Sequence, residues 1–310
     1  GLIASGSGQD FIFTVHNKEF TTPKWLKEGI LYQILPDRFF NGNSSNDHAN
    51  SLTRKFRRTE ISNWRDLPQK ILRHEDLKKA CDEHFGGDLE GITKKLDYLR
   101  ELGVSILYLN PIFLAGCYHG YDVMDFKTLN PRFGSKFDFD KLLAEANRRN
   151  IRIVLDTILT HVSDDSIYFN RFGRHDFLGA YEYFAYFHSL KKKNPLWPES
   201  KLKNATLKFW SDRGKIIPAL PWYEWFDIKP YASPQDDQDP RLYDYEGWSG
   251  NAYLPLISEK KGSPLLNKGY LDYFLTSPNS VLKSWLRQGV YGYRFDAVSD
   301  LDPAVWQRVR

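Results

Sequence analysis

Residues 151–156, Ile-Arg-Ile-Val-Leu-Asp, form a short, almost continuously apolar run that ends in a carboxylate. A run of this kind is typical of a strand that is buried on both faces of a parallel sheet. Similar runs occur at residues 29–36, 104–109 and 293–297. Apolar residues with helical spacing separate these runs, at residues 91–102, 138–149 and 278–288. The alternation of strands and helices predicts parallel βα units and an α/β fold.

Local signals mark the ends of the predicted helices. Asp138 is a candidate N-cap, and Gly103 and Gly289 follow the other two helices as stop signals. More than a hundred residues, rich in Trp, Tyr, Pro and Asp, lie between the third strand and the last helix without clear periodicity. A structureless loop of that length is rare inside a compact domain, so we expect an inserted subdomain there.

The composition limits the classes of protein to which the chain belongs. Its 310 residues, 41% hydrophobic and 26% charged, suit one large domain or one domain with an insertion. Its 43 basic and 39 acidic residues give a net charge of +4, without the clustered positive charge that a nucleic-acid partner requires. The most apolar stretch, residues 103–116, is too short to span a membrane. We therefore expect neither nucleic acid nor a membrane as a partner, and the sequence predicts no compartment.

The chain contains two cysteines, Cys81 and Cys117. They could form a single disulfide or remain as two buried thiols. We prefer the thiols, because the sequence has neither a disulfide framework nor a CxxC metal pattern.

Polar residues follow the ends of three successive predicted strands. Strand two leads to residues 118–122 (Tyr-His-Gly-Tyr-Asp), strand three ends in Asp156 and leads to His161, and the last strand contains Arg294 and Asp296. In parallel βα folds, the carboxyl ends of the strands carry functional residues. Arg294 and Asp296 share one face of their strand, and a guanidinium beside a carboxylate favours the charged form that a nucleophile needs. Each motif alone also has a structural explanation, as an ion pair, a loop histidine or a turn.

Together these motifs resemble the alpha-amylase family of glycoside hydrolases, a (β/α)8 TIM-barrel family that acts on α-glucans. The likeness is carried by TTPKWLKEGILYQILPDRFFNGN at 21–43, by LNPIF, YHGYD, DTILTH and GYRFD, and by YLPLI at 253–257. The first of these segments resembles the neopullulanase, cyclomaltodextrinase and amylopullulanase branch. The resemblance implies a (β/α)8 barrel with an inserted domain after strand 3, truncated after strand 4.

The resemblance implies a division of the chain into four parts. Residues 1–22 are expected to be the tail of an N-terminal β-domain and a linker, and residues 23–161 the barrel through strand 3. Residues 162–275 are expected to form the inserted domain, and residues 276–310 helix 3, strand 4 and the start of helix 4.

The resemblance also implies roles for the matching residues. Asp296 is the implied nucleophile, and Arg294 holds its carboxylate in the charged form. In the implied substrate-binding set, Tyr121 stacks on the sugar, His119 and His161 bond its hydroxyls, and Asp156 supports the end of strand three. Three tryptophans of the expected insert are either stacking platforms for sugars or core residues: Trp222, Trp225 and Trp248.

Retaining hydrolysis needs a second carboxyl group about 5–5.5 Å from the nucleophile. The family takes this acid, a Glu, from the end of strand five, and a further Asp from strand seven; the sequence matches neither position. We therefore expect the 310-residue chain to supply about half of a barrel and to be inactive alone. Four strands leave two open sheet edges, so the remainder of its own barrel is the expected partner.

A second group of residues indicates a metal. Asn, Asp and Gly residues follow the first strand and precede the first helix, and their oxygen atoms suit Ca²⁺, although such residues are also common in simple turns. The spacing is similar to the calcium loop of cyclodextrin glucanotransferases and neopullulanases. That similarity implies these ligands: Asn41, Asn43, Asn46, Asp47, Gly86 and Asp88. Position 41 is usually Asp in those proteins, so weaker binding is expected here.

Several functions remain open. The leading hypothesis is a retaining hydrolase of starch, maltodextrin, pullulan or cyclodextrin, and the sequence does not distinguish it from an α-glucan transferase. A non-catalytic amylase-like scaffold and a pure carbohydrate-binding module are two further hypotheses. The presence of both Arg294 and Asp296 favours the enzyme.

Overall fold

The structure is a computed structural model, which describes residues 19, 21–47, 67, 83–230, 243–257, 267–301 and 303–309. The strand predicted within residues 10–22 lies almost wholly outside these residues, and so does Cys81. The division of the chain at residues 22, 161 and 275 stays a prediction. Within the described residues, no helix has the length and apolar character needed to cross a membrane.

A four-stranded parallel sheet forms the centre of the fold. The strands of the described residues are β1 (Leu31–Ile34), β2 (Ile106–Leu109), β3 (Phe113–Ala115), β4 (Val123–Leu129), β5 (Arg152–Thr157), β6 (Lys229–Pro230), β7 (Tyr243–Asp244) and β8 (Gly292–Phe295). The central sheet has the order β1-β2-β5-β8, with every neighbouring pair parallel. The four predicted strands are therefore confirmed, and they lie side by side in chain order.

The two outer strands of this sheet are more exposed than the sequence predicts. β2 is buried along its whole length, whereas Leu31 at the start of β1 is 48% exposed. The expectation that residues 29–36 are buried on both faces is wrong for the first half of that run. The physical reason is position, because within the described residues β1 and β8 are paired on one side only.

The helices follow the predicted alternation, with corrected boundaries. In the described residues they are α1 (Lys24–Lys27), α2 (Leu89–Lys94), α3 (Leu96–Glu101), α4 (Lys136–Arg148), α5 (Ala180–Lys193), α6 (Glu199–Ser211), α7 (Lys268–Leu271), α8 (Val281–Leu286) and α9 (Pro303–Val309). The helix predicted at 91–102 is thus two helices, α2 and α3, which meet at Lys95, and Gly103 ends the second with φ +87°.

The start of α4 differs from the predicted one. Ser135, not Asp138, is the N-cap, and the two residues form a reciprocal capping box. The side chain of Ser135 accepts from the Asp138 N–H, while the Asp138 carboxylate accepts from the Ser135 N–H at 2.7 Å. Asp138 is therefore in the third helical position, where an acidic side chain also favours the helix start.

The antiparallel hairpin of β3 and β4 is an element that the sequence did not reveal. Its strands are irregularly paired, with register shifts on both sides of Leu114. The hairpin carries the loop 116–122 at the end of β2, and this loop contains the YHGYD motif. The hairpin thus positions one of the predicted site segments.

Aromatic rings form much of the core after β5. Trp222 and Trp225 are 7% and 1% exposed, and both rings pack against Tyr168, at centroid distances of 5.0 and 5.6 Å. Of the two alternatives for these tryptophans, core packing is therefore the one that the structure shows, because their rings are already covered by protein.

Candidate active site

Arg294 connects two carboxylates at the carboxyl ends of neighbouring strands. β5 and β8 pair in parallel with Asp156 opposite Arg294. Nη1 of Arg294 lies 3.2 Å from Oδ1 of Asp156 and 2.8 Å from Oδ1 of Asp296. The structure therefore brings together the three residues that the sequence placed at these strand ends.

Asp156 is the buried centre of this network. Its Oδ2 accepts hydrogen bonds from the hydroxyls of Tyr108 at 2.5 Å and Tyr121 at 2.6 Å, and its side chain is 0% exposed. Burial raises the pKa of Asp156, while the two tyrosine hydroxyls and Arg294 act in the opposite direction. Burial, followed by the contact with Asp156, raises the pKa of both tyrosines, so both stay protonated and donate.

The side chain of Asp156 contacts protein groups and not solvent. Its oxygens are already used by Tyr108, Tyr121 and Arg294, and no part of its side chain reaches solvent. Asp296 is different, because its side chain is 30% exposed. Of the two carboxylates beside Arg294, Asp296 is the one that a substrate can reach.

A chain of side-chain amides fixes Tyr121 from the other side. Gln33 on β1 donates from Nε2 to Oδ1 of Asn110 at 2.8 Å, and Asn110 donates from Nδ2 to the Tyr121 hydroxyl at 3.1 Å. Tyr121 is thus held between Asn110 and Asp156. A ring fixed in this way is pre-organised to form one wall of a binding site.

The loop that carries His119 and Tyr121 is tightly folded. Gly120 has φ +77°, and a Cβ at this position would lie 2.4 Å from the carbonyl oxygen of Pro111. Nδ1 of His119 accepts a hydrogen bond from the Tyr121 N–H at 3.0 Å, and the two rings stack at a centroid distance of 5.8 Å. Glycine is therefore required between the two predicted sugar-binding side chains.

His161 lies deeper than the sequence implies. It is 2% exposed, its Nδ1 contacts Oγ1 of Thr160 at 2.9 Å, and its ring stacks on Trp248 at 5.2 Å. Burial lowers the pKa of His161 from 6.5 to about 4, despite the raising effects of the Tyr121 backbone, Asp122 and Asp296. The stacked Trp248 ring covers His161, and this ring is held by a hydrogen bond from its Nε1 to Oδ2 of Asp300 at 2.9 Å.

Three residues of the network had no assigned role in the sequence: Gln33, Tyr108 and Asn110. One signal for them was available. Tyr108 and Asn110 are two positions apart at the end of β2, so the pleat places them on the same face. A polar pair at the end of an otherwise apolar strand indicates a partner nearby.

The six residues of the predicted calcium loop also lie together. The carboxylate of Asp88 is 0% exposed and accepts from the N–H groups of Gly42, Asn43 and Gly91 and from the side-chain amide of Asn46. Asp88 is also the N-cap of α2. A cation at Asp88 would share the carboxylate with these donors.

Two observations show that these residues fit a cation. Oδ1 of Asn46 is buried and has no hydrogen-bond partner among the described residues. Gly86 has φ +76°, and a Cβ there would lie 2.6 Å from both Nδ2 of Asn41 and Oδ1 of Asp47. Glycine thus leaves room between oxygen-bearing side chains, as a hard cation requires.

The comparisons with known proteins agree with this geometry. In parallel βα barrels, functional residues lie at the carboxyl ends of the strands, and the Arg294–Asp296 pair lies at such an end. The family model "Alpha amylase, catalytic domain" matches residues 33–307. The chain therefore belongs to the alpha-amylase family, and the predicted resemblance is confirmed. The family and its solved structures imply a (β/α)8 barrel, of which the four-stranded sheet is a part.

Several relatives align with nearly the whole length of this chain. The amylopullulanase of Thermoanaerobacter thermohydrosulfuricus is 35% identical over 100% of this chain and 19% of the relative. Neopullulanase 2 of Thermoactinomyces vulgaris is 29% identical over 96% of this chain and 38% of the relative. The chain thus spans less than half the length of these relatives.

Solved structures give the same result. The type III pullulan hydrolase from Thermococcus kodakarensis is 27% identical with a TM-score of 0.61, over 97% of this chain and 46% of that chain. The cyclic α-maltosyl-(1→6)-maltose hydrolase from Arthrobacter globiformis, in complex with its cyclic sugar, is 26% identical with a TM-score of 0.59, over 94% of this chain and 49% of that chain.

Proposed function

We propose that the protein carrying this sequence is a retaining glycoside hydrolase of α-glucans in which Asp296 is the nucleophile. The observation that carries the proposal is the Arg294–Asp296 contact of 2.8 Å at the end of β8. The guanidinium holds the carboxylate in place, and the 30% exposure of Asp296 leaves it accessible to a sugar. Asp156, the other carboxylate beside Arg294, is inaccessible.

The chemistry assigned to Asp296 is a double displacement. One oxygen of Asp296 attacks the anomeric carbon, and the bond from that carbon to the leaving-group oxygen breaks as the oxygen receives a proton. Water then attacks the same carbon, the bond to Asp296 breaks, and the sugar is released with its original anomeric configuration. The proton donor must reach the glycosidic oxygen, and the buried Asp156 cannot. As the family resemblance implies, we assign the general acid to a Glu at the end of strand five, a position that this sequence does not match.

Tyr121, His119 and His161 are proposed to position the sugar. The hydrogen bonds from Asn110 and to Asp156 hold Tyr121 in one orientation. The His119 ring stacks on Tyr121 and lies on the same loop, where it is half-buried. His161 is covered by Trp248, so its contact with a sugar hydroxyl requires the Trp248 ring to shift or the contact to run along the ring edge.

We propose Ca²⁺ as a structural ion of the loop after β1. Asn41, Asn43, Asn46 and Asp47 and the carbonyl of Gly86 would hold it, together with Asp88. The ion would tie the loop after β1 to the start of α2, which stabilises the fold and supplies no reacting group.

The substrate class follows the relatives. Their names refer to pullulan, cyclodextrin and maltose-forming amylase activities, so α-glucans with 1,4 or 1,6 linkages are the proposed substrates. The experiment described next also distinguishes hydrolysis from transfer of the sugar to another glucan.

The test uses the full-length protein that carries this sequence, supplied with starch, pullulan and cyclodextrin. We expect hydrolysis with retention of the anomeric configuration, followed by NMR of the first-formed products. Asp296→Asn is expected to abolish turnover, while Asp140→Asn, an exposed substitution on α4, leaves it unchanged. Inverted products, or full turnover by Asp296→Asn, would overturn the proposal. Products longer than the substrate would identify a transferase.

A further inference from the structure

A second group of ligand-type side chains lies on the loop between β3 and β4. Ligand atoms of Cys117, His119 and Asp122 all lie within 4.8 Å of one another. Cys117 and Asp122 are buried and His119 is half-buried. The proposed function uses His119 for the sugar and gives the Cys117 thiol no task.

We propose that Cys117, His119 and Asp122 form a site for a soft divalent cation of the Zn²⁺ type. A thiolate, an imidazole and a carboxylate are the three kinds of ligand that Zn²⁺ takes in proteins, and three protein ligands leave a fourth position open. Ca²⁺ and Mg²⁺ take oxygen ligands, so the thiol and imidazole select against them. This site is therefore chemically distinct from the oxygen-rich loop after β1.

The backbone holds the three ligands in place. Oδ2 of Asp122 accepts from the Gly116 N–H at 3.2 Å, and Oδ1 accepts from the Cys117 N–H at 3.0 Å. An ionised carboxylate has about four lone-pair sites, so hydrogen bonds from two backbone N–H groups are compatible with a metal contact. The close approach of Gly120 to Pro111 fixes the loop between the ligands. A pre-organised loop reduces the ordering that binding requires.

A buried imidazole beside the cluster is the second observation that indicates a ligand. Nε2 of His161 is buried and makes no hydrogen bond of ordinary geometry to the described residues, although the Tyr121 backbone lies close enough to affect its pKa. The segment of His161 runs beside that of Asp122, since the Ser163 N–H donates to the Val123 carbonyl at 2.9 Å. An imidazole nitrogen in this place suits a hydrogen bond to a water in the fourth position on the metal.

Metal binding also has a consequence for the sugar site, and this part rests on the proposed function. Whichever ring nitrogen of His119 binds the cation, the hydrogen bond from the Tyr121 N–H is lost, because Nδ1 then holds either the metal or the ring proton. Because His119 and Tyr121 are proposed to contact the sugar, a bound Zn²⁺ is expected to inhibit hydrolysis in competition with the glucan.

The binding test is spectroscopic and independent of activity. The full-length protein, stripped with a chelator and resupplied with Ca²⁺, is titrated with Co²⁺, and Zn²⁺ affinity is measured by calorimetry. We expect one Co²⁺ per chain with a thiolate-to-metal charge-transfer band. Cys117→Ser is expected to abolish the band and to lower Zn²⁺ affinity by at least about 10- to 100-fold, the loss typical even of an outer-shell partner. Cys81→Ser is the matched control and keeps both.

Three outcomes would overturn the site. They are no saturable binding of one Co²⁺ or Zn²⁺ per chain, a charge-transfer band that persists in Cys117→Ser, and a band that disappears in Cys81→Ser. If Cys117→Ser does not fold, as judged by circular dichroism, Asp122→Asn replaces it, and an unchanged Zn²⁺ affinity in that variant is equally contradictory.

Inhibition separates the two proposals. Competitive inhibition by Zn²⁺ in the wild type, absent in Cys117→Ser, supports both the metal site and the sugar contact of His119. A Co²⁺ band without any inhibition supports the metal site and contradicts the competition. A protein that hydrolyses no glucan contradicts the proposed function and leaves the spectroscopic result to decide the metal site.

Discussion

Nη1 of Arg294 lies 2.8 Å from Oδ1 of Asp296, the carboxylate two residues further along the same strand end. The same nitrogen lies 3.2 Å from the buried Asp156. The guanidinium of Arg294 therefore contacts the accessible carboxylate of Asp296 and is itself held by the buried carboxylate of Asp156. The position of the proposed nucleophile thus depends on Arg294 and, through it, on the buried Asp156.

Arg294→Lys is expected to lower kcat by about 100-fold, with a smaller change in KM. Lysine keeps the positive charge, but its ammonium ends one bond short of Nη1, the nitrogen that contacts both Asp156 and Asp296, and it sits on a more flexible stem. Misplacement of a reacting group by about 1 Å costs rates of this order. Steady-state kinetics of the full-length protein measure the effect. A variant with wild-type kcat would show that the position of the guanidinium is unimportant.

Tyr108→Phe tests the support beneath Arg294. The substitution removes the donor to Oδ2 of Asp156 and leaves a buried carboxylate with one partner fewer, which costs about 1–3 kcal/mol in the free energy of unfolding. We expect lower stability and a reduced kcat without a large change in KM. Tyr98→Phe, at an exposed position on α3, is the matched control. Equal stability of the two variants in chemical denaturation would contradict the role of Tyr108.

His161 makes stability depend on pH in the acid range. Its pKa is about 4 in the folded chain against an ordinary 6.5, so folding favours the neutral ring. This contribution is complete above about pH 6.5 and is lost as the pH falls towards 4. At about 1.4 kcal/mol per pKa unit, the difference is about 3 kcal/mol.

NMR of the histidine ring protons and denaturation between pH 4 and 7 check this prediction. We expect the His161 signal to titrate near pH 4 and to disappear in His161→Gln. The stability difference between wild type and His161→Gln is expected to shrink as the pH falls. A His161 ring that titrates near 6.5 would contradict the burial argument.

Asn41→Asp is expected to raise the affinity for Ca²⁺ about tenfold. Nδ2 of Asn41 donates to Oδ1 of Asp47 at 2.8 Å, so the amide competes with a cation for that oxygen. A carboxylate at position 41 removes the competitor and adds a negative ligand, and ligand charge tunes calcium affinity. Without calcium, repulsion between the introduced carboxylate and Asp47 should lower the melting temperature.

The measurement is the melting temperature of the full-length Asn41→Asp protein and the wild type, each with Ca²⁺ and with a calcium chelator. Asp47→Asn is the matched control and should lose most of the calcium-dependent stabilisation. A stabilisation by Ca²⁺ that is the same in all three proteins would place the ion elsewhere.

The sequence predicted the order of strands and the site residues at their ends, because apolar runs and their terminal polar residues are local features. Exposure was harder to predict. The exposure of Leu31 depends on which strand lies beside β1, and the burial of Trp222 and Trp225 depends on rings from distant segments such as Tyr168. The local sequence does not show which strand lies beside β1 or which distant rings pack against the two tryptophans.

The supporting residues were missed for a related reason. Tyr108 lies in a fully buried strand. The local sequence indicates that its hydroxyl needs a partner, but it does not show that this partner is Asp156 on the next strand. The start of α4 was misplaced because Ser135 and Asp138 are both good N-terminal residues, and only the reciprocal hydrogen bonds distinguish the cap from the third position.

The role of Asp296 is tested most directly by trapping the intermediate. The full-length protein is incubated with a fluorinated maltosyl fluoride, which slows release of the sugar from the enzyme, and is then digested and analysed by mass spectrometry. We expect one sugar adduct, attached to the side chain of Asp296 and absent from Asp296→Asn. An adduct on another carboxylate, or inverted products without any adduct, would contradict the assignment of Asp296 as the nucleophile.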